Sequence, residues 1–479
     1  MNRILPFQFK QCRDGRILLV NECGDYYFVE QETFENIISG TISDQHADYY
    51  NLKSRLFIDN GDDEIAIEKI AAKYRSRKSF LRDFTSLHMM VITLRCNQRC
   101  EYCQVSCAEQ DAHKYDMLTE TAFRVVDTIF QAPSNSVKIE FQGGEPTLNW
   151  KTLKETVLYA EHKRKETGKE IEFVICTNLT SITTEQLEFC RDHRILVSTS
   201  LDGPKDIHDG QRTLRAGNSS YELFTKNLQL AREIVGENGV DALMTTTAAS
   251  LQCLPQIIDE YVALGFTGIF IRALNPYGFA AEENAKLGYN MRDFVSTYIN
   301  ALEYIFEINK KIFFPEYFAT LLLSRILTPF PTGFVDLQSP AGVGISGAIY
   351  DYDGSVYPAD EARMLARMGD EHFRLGNVKA DTYEQIFGST KLRDIIKNAC
   401  VETTPECAYC AYQAYCGTDP IRNYLESGSE MRNMRQTPFC IKHKGIFDFL
   451  FEKLGNLSEA EENIIWGWIN RSNTIEKNA

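Results

Sequence analysis

Three thiols stand close enough together to do chemistry: Cys96, Cys100 and Cys103, in Arg95-Cys96-Asn97-Gln98-Arg99-Cys100-Glu101-Tyr102-Cys103, directly after an apolar run at 89–94. Three cysteines on one short loop can bind three irons of a [4Fe–4S] cluster and leave the fourth iron without a protein ligand. An open iron is a place where a small molecule can be activated. A three-cysteine zinc site, or buried thiols at a helix start, would use the same residues.

Such a loop needs a scaffold, and the chain supplies a repeating one. Strand-like runs fall at 88–94, 137–141, 171–176, 195–200, 242–247 and 268–273. Most are separated by helical patterns with recognisable starts: Thr119, Thr183 with Gln186 three residues on, and Ser219 with Glu222 three residues on. Strand and helix alternating in this way predict parallel strands joined by right-handed crossovers, with functional loops at the strands' C-terminal ends. The three-thiol loop follows the first strand. The second ends in Gly143-Gly144-Glu145-Pro146, where glycines allow close backbone approach and a carboxylate can accept from an ammonium group; a tight strand-to-helix turn would look the same. Further strand ends carry Asn178, Ser200, Asp202 with Arg212 beyond, and Arg272, each able to bond a ligand or to cap its own loop.

The cysteine spacing, with the aromatic Tyr102 before the last thiol, resembles the signature of the radical S-adenosylmethionine (SAM) superfamily. Gly143-Gly144-Glu145, about 40 residues on, matches that family's SAM amino-group motif. The resemblance implies an α/β fold, a partial (β/α)6 TIM-like barrel, in which SAM chelates the open iron and is cleaved to a 5′-deoxyadenosyl radical. It also implies a SAM site built from Tyr102, Gly143, Gly144, Glu145, Asn178, Ser200, Asp202, Arg212 and Arg272.

The tail carries a second thiol group, Cys407-Ala408-Tyr409-Cys410 followed by Cys416 and Cys440, a spacing that suits zinc or an iron–sulfur cluster equally. Before it, Asp353-Gly354 between apolar residues predicts a hairpin. The layout resembles the SPASM extension of peptide-modifying radical SAM enzymes, with a departure: Ala341 and Ala359 stand where ligands of a first auxiliary cluster would be, and Gly417-Thr418-Asp419-Pro420 where another thiol would follow. One auxiliary [4Fe–4S] cluster is therefore expected, on Cys407, Cys410, Cys416 and Cys440, with Cys400 or Asp419 as alternative ligands. In the sulfatase-modifying branch an acid at the position of Asp360 is the general base, and a carboxylate in a cleft can take the proton a substrate radical sheds. A solvated turn acid is the plainer reading. If the segment is extended, Glu361 points the other way.

The remaining chain bounds the function. In 479 residues, 44% hydrophobic and 24% charged, there is room for about three domains. A formal charge of −15 argues against a grip on nucleic acid phosphates or anionic membranes. No apolar run reaches the roughly 18–20 residues of a membrane span, and the start lacks a signal peptide's h-region, so a cytoplasmic protein is expected. Its 14 cysteines are then free thiols, and Cys12, Cys23, Cys107, Cys176, Cys190 and Cys253 read as scattered core or surface residues. A hairpin across 16–29 and a helix at 32–40 form a small α+β module at 1–85, which resembles the winged module that holds a leader peptide as an added strand. A structural cap would read alike. The barrel is expected at 86–290, a bridging helical region at 291–335, the SPASM-type Fe–S domain at 336–445, and a C-terminal helix and tail at 446–479.

Leu5-Pro6-Phe7, Cys103-Gln104-Val105-Ser106, Leu274-Asn275-Pro276-Tyr277-Gly278-Phe279-Ala280 and Cys410-Ala411-Tyr412-Gln413 resemble the radical SAM maturase of His-Xaa-Ser peptide systems. That implies a ribosomally made precursor peptide as substrate, cross-linked after hydrogen abstraction, and an electron donor such as flavodoxin or ferredoxin. A formylglycine-forming maturase or a small-molecule enzyme would use the same core.

Overall fold

In the computed structural model, residues 3–61 and 65–478 are described; the first two residues of the N-terminal module, 62–64, and residue 479 of the tail lie outside them. Five strands come first: β1 (Arg3–Ile4), β2 (Phe7–Gln11), β3 (Ile17–Asn21), β4 (Tyr26–Val29) and β5 (Ile58–Asp59). β3, buried at every residue, is the centre of an antiparallel β2-β3-β4 sheet, and β1 pairs separately with β5. The β3–β4 hairpin is the expected one. Its turn is tied by Asn21, whose Oδ1 accepts from the backbone of Cys23 and Asp25 at 3.0 Å each, and by Gly24 at φ +76°. β2 was not anticipated; Ile17, Leu19 and Val29 pack with Ile37, Leu52 and Phe57 under the sheet. The expected helix runs Gln31–Ile38.

The chain forms two compact units. One comprises Met1–Leu81, Ala319–Gly342 and Lys397–Asn473; the other comprises Arg82–Phe318, Val343–Ile396 and the end of the chain. The N-terminal sheet and the tail thiols thus share one unit.

The second unit is built on β6 (Leu87–Thr93), β7 (Gln98–Cys100), β8 (Ser136–Gly143), β9 (Glu170–Cys176), β10 (Ile195–Ser200), β11 (Arg212–Leu214), β12 (Val240–Thr245), β13 (Ile271–Arg272), β14 (Gly347–Tyr350), β15 (Ser355–Tyr357) and β16 (Gly376–Asn377). Its main sheet has the order β13-β12-β10-β9-β8-β6-β14-β15-β16. The first six are parallel, in the sequence order the alternating pattern implies, and β14 extends the sheet in parallel beside β6. β14 and β15 are the hairpin expected around Asp353-Gly354.

Alternation along the strands divides the residues by face. Val137, Ile139, Phe141, Phe173, Ile175, Ile195 and Val197 are buried against helices such as Thr119–Ile129 and Trp150–Thr167, which contribute Ala122, Val125, Val126, Leu153 and Val157. Glu140, Gln142, Cys176, Ser198 and Ser200 take the opposite face and are less buried. The cap at Thr183 forms a full capping box with Gln186, whereas Thr119 donates to Glu155 at 2.8 Å instead of capping its helix. The sixth strand is shorter than expected because Gly268 lies against the Pro315 carbonyl and Tyr317, and Ile269 bridges to Glu316. The bridging region expected at 291–335 opens with a helix, Met291–Asn309.

Candidate active site

The three-thiol loop is not a free loop. β7, inside it, pairs antiparallel with β11, setting Arg212 opposite Cys100. Its entry is braced by Arg95, which holds Asp116 through a bidentate pair at 2.7 and 2.9 Å and donates to the carbonyls of Gln110 and Leu148. Its exit is held by the segment after β13: Phe279 N donates to Cys103 O at 2.9 Å. A side chain at Gly278 (φ +53°) would collide with the carbonyls of Cys103 and Gln104. Tyr102 packs in a small apolar cluster with Leu274, Ala280 and Leu287, so the residues at 274–289 cover the loop.

The thiols lie close together, Cys96 buried and Cys100 and Cys103 half-buried. Burial pushes the Cys100 thiol up to about 12, against the nearby Arg212 guanidinium. Cys103 is raised by a contact with the Cys107 thiol and then by burial. Crowded, buried thiols keep their protons until a cation replaces them, and soft thiolates favour iron or zinc. The loop therefore fits a metal cluster. Cys107, read from sequence as a core residue, belongs to this group: its thiol lies among those of Cys103, Cys96 and Cys100, donates to Gln98 O at 3.7 Å and receives Arg215 Nη2 at 4.0 Å. Arg215, which also holds Cys96 O at 3.1 Å, is a second residue that sequence reasoning missed. Only its place three residues past Arg212 could have drawn notice.

Gly143 and Gly144 have a different necessity from the one expected. A Cβ at Gly143 would strike the Thr93 carbonyl, and at Gly144 those of Leu94 and Arg95. The glycines let the end of β8 lie against the chain entering the thiol loop, with Gly144 N and Glu145 N donating to Thr93 O and Arg95 O at 2.8 and 2.7 Å. Glu145 is engaged by the protein's own donors. Its carboxylate, expected to receive an ammonium group, is fully buried and already accepts four hydrogen bonds, from Thr147 N and Oγ1 (3.1 and 2.7 Å), Thr177 Oγ1 (2.8 Å) and Asn178 N (2.8 Å). Burial pushes its pKa up and these donors oppose it. Glu145→Gln turns one acceptor into a donor facing donors. It should cost roughly 3 kcal/mol in denaturant unfolding, whereas a residue serving only a ligand would leave stability unchanged.

The other named residues sort the same way. Asp202, fully buried, accepts from Tyr102 Oη (2.5 Å), Arg212 Nε (2.9 Å) and Thr245 N (3.4 Å). The Arg212 guanidinium stands 5.3 Å from the Tyr102 ring centre. Asn178 donates to Asn97 Oδ1 at 2.8 Å and approaches Cys96 Sγ at 3.9 Å. These residues shape the pocket. Ser200 and Arg272 have side chains with no hydrogen bond to the described residues, so they are available to a ligand.

Asp360 begins the helix Asp360–Arg367, not an extended segment. Its Oδ1 accepts from Arg363 Nε (3.1 Å) and Nη2 (3.0 Å), leaving Oδ2 clear of that pair. Arg363 is 1% exposed and its Nη1 has no partner; it also lies within electrostatic reach of Cys103. Asp360 in turn acts on Cys176, whose thiol donates to Glu140 Oε1 at 3.3 Å; Gln142 donates to the same oxygen at 2.6 Å. Cys176, with Glu140 and Gln142 bonded beside it on the open face of the sheet, thus lies within electrostatic reach of the acid, a grouping visible in the sequence only once alternation is known.

In the other unit, Cys407, Cys410, Cys416 and Cys440 line one cavity with Val401, Met434, Phe439 and Phe447. Cys416 is raised by burial and by the other three thiols. Cys440 sits in the first turn of helix Pro438–Leu454, its N–H on Thr437 Oγ1 at 3.1 Å. Four cysteines around one apolar pocket are the ligand type an iron–sulfur cluster takes. Asp419 caps the helix Pro420–Ser427, accepting from Ile421 N and Arg422 N at 3.1 and 2.9 Å, and Cys400 lies beside Glu402 and Lys78.

The sequence over residues 90–259 matches the Radical SAM superfamily. Over 378 residues the chain is 23% identical to the cysteine-type anaerobic sulfatase-maturating enzyme of Clostridium perfringens, spanning 76% of this chain and 95% of that one. Its structure is similar to native anSMEcpe with bound AdoMet and Kp18Cys peptide, with a TM-score of 0.63, 21% identity, and 77% and 98% of the two chains covered. It is also similar to Streptococcus suis SuiB bound to precursor peptide SuiA, with a TM-score of 0.54, 12% identity, and 92% and 100% covered. No helix among the described residues is long and apolar enough to cross a membrane.

Proposed function

We propose that this chain, an iron–sulfur enzyme with a radical SAM domain at 90–259, modifies a ribosomally made precursor peptide by forming a side-chain cross-link, as in His-Xaa-Ser systems. When bound, the open-iron [4Fe–4S] cluster and SAM supply a 5′-deoxyadenosyl radical able to take a hydrogen atom from an unactivated carbon. The protein's part is holding and proton handling. Cys96, Cys100 and Cys103 hold the cluster. With SAM bound, the Gly143 and Gly144 carbonyls would accept from its amino group, and Ser200 and Arg272 would hold its ribose and carboxylate. Tyr102, Glu145, Asn178, Asp202 and Arg212 keep the pocket in shape. Cys407, Cys410, Cys416 and Cys440 hold one auxiliary cluster.

The observation that carries the reading is Asp360, held on one oxygen by a buried arginine that also reaches Cys103, with its other oxygen clear of that pair. Two hydrogens leave the peptide: one as an atom, and one as a proton taken by Asp360, with the balancing electron passed to a one-electron acceptor. A donor of flavodoxin or ferredoxin type supplies the reducing electron. The peptide class is supported by the likeness to SuiB and to the sulfatase maturases. It is also supported by the N-terminal sheet, whose edge strands β2 and β4 could take an added strand from a leader. Formylglycine formation is the second reading, favoured by the match across 95% of the Clostridium enzyme.

Co-expression with a precursor peptide encoded beside it, followed by tandem mass spectrometry, tests the proposal. The expected product has lost two hydrogens per site and gives no fragments between the linked residues. Labelling by a hydrazide probe would point to the aldehyde of formylglycine instead. An unmodified peptide, with SAM and reductant shown to be competent, would overturn the peptide reading.

A further inference from the structure

Two arginines are buried in the unit that holds the tail thiols, and neither forms an ion pair among the described residues. Arg77 is 7% exposed and Arg325 5%. Arg77 donates to the carbonyls of Arg325 (3.0 Å) and Gly24 (3.3 Å), its Nε has no partner, and its guanidinium stands 5.4 Å from the Tyr415 ring centre. Arg325 donates to the carbonyls of Tyr415 (3.4 Å) and Ala414 (3.2 Å), the two residues before Cys416. Nearby Lys78 and Glu402 pair with each other at 2.7 Å, so that carboxylate is already matched by a cation of its own. Burying two like charges side by side without a counter-charge is costly.

Cys416 is the first of the acidic groups within electrostatic reach of Arg325, ahead of Tyr415 and Glu402, while Arg77 lies within reach of Asp25, which Lys73 holds at 2.7 Å. As thiols the four tail cysteines carry no charge; as metal ligands they are thiolates, and the centre they form is negative overall. We propose that Arg325, backed by Arg77, is the built-in counter-charge of the auxiliary cluster and raises its reduction potential. This rests on the reading of Cys407, Cys410, Cys416 and Cys440 as ligands of an iron–sulfur cluster. A fixed positive charge stabilises the more reduced, more negative state, and net charge is one of the levers on cluster potential. The arginines act as positioning and tuning residues; they touch no substrate. Gly24 belongs to the same arrangement. Its carbonyl also accepts from Tyr415 Oη at 3.0 Å, and any side chain there would meet the Arg77 guanidinium.

The test is an EPR-monitored redox titration of the anaerobic holoenzyme, with the SAM-responsive signal distinguishing the first cluster from the auxiliary one. Arg325→Gln should keep full iron and sulfide and shift the auxiliary potential to more negative values. Arg325→Lys should shift it less, because the charge remains, and Arg77→Gln should give a smaller negative shift. If Arg325→Gln fails to assemble, Arg77→Gln carries the test, since it leaves the Ala414 and Tyr415 carbonyls bonded. An unchanged potential in fully loaded variants would overturn the inference. Wild-type protein with only one cluster's iron would instead overturn the underlying ligand reading.

Discussion

Cys100→Ala is expected to lower bound iron from about eight to about four per chain. 5′-Deoxyadenosine formation should fall to background, a loss of more than about a thousandfold. The fold should survive. Position 100 is held by the β7–β11 pairing through the backbone, and its thiol's recorded hydrogen bond is a weak one to Gln98 Oε1 at 3.6 Å. Cys440→Ala is the matched control: it removes the other four irons, roughly, and leaves SAM cleavage in place. Iron and sulfide counts with chromatographic detection of 5′-deoxyadenosine read both variants. Undiminished SAM cleavage by Cys100→Ala would remove Cys100 from the ligand set, and Cys107, whose thiol lies among the other three, would be the first replacement ligand to examine.

Asp360→Asn should slow formation of modified peptide by about 10²–10⁴-fold while SAM cleavage continues. The substitution keeps an oxygen for Arg363 and removes the proton acceptor, so chain stability should change little. Asp360→Ala is a poorer choice. It leaves the Arg363 guanidinium buried without its partner, at a cost of about 3–5 kcal/mol, and mixes folding with chemistry. The informative measurement is the ratio of 5′-deoxyadenosine to product: uncoupling in the Asn variant supports a base. An equal fall in both would assign Asp360 to structure alone.

Legibility differed with the kind of residue. The parallel strands could be read because their apolar positions alternate and their connecting helices carry start signals such as Thr183 with Gln186. The thiol groups could be read because metal ligation needs particular side chains at short spacing. Hydrogen-bond partnerships could not. Glu145 and Asp202 are carboxylates at strand ends, chemically able to meet a cationic ligand; whether they do depends on Thr147, Thr177, Asn178, Tyr102 and Arg212, which come from other parts of the chain. Cys107 and Cys176 looked scattered because their neighbours are distant in sequence or lie across strands. Whether the segment at Asp360 is extended or helical was open in the sequence, and the structure begins a helix there.

By itself, then, the sequence determined the three-thiol loop after a first strand, the Gly-Gly-Glu turn after a second, the alternating α/β plan and the four tail thiols. Each of these follows from local spacing and periodicity. Tertiary structure alone decided that Gly143 and Gly144 are small to clear Thr93, Leu94 and Arg95, and that Glu145 serves the protein's own donors. It also placed Arg363 on Asp360 and set Arg325, with Arg77 bonded to its carbonyl, on the two carbonyls that precede Cys416. Those are long-range contacts, set by which buried polar groups find partners once the core has closed.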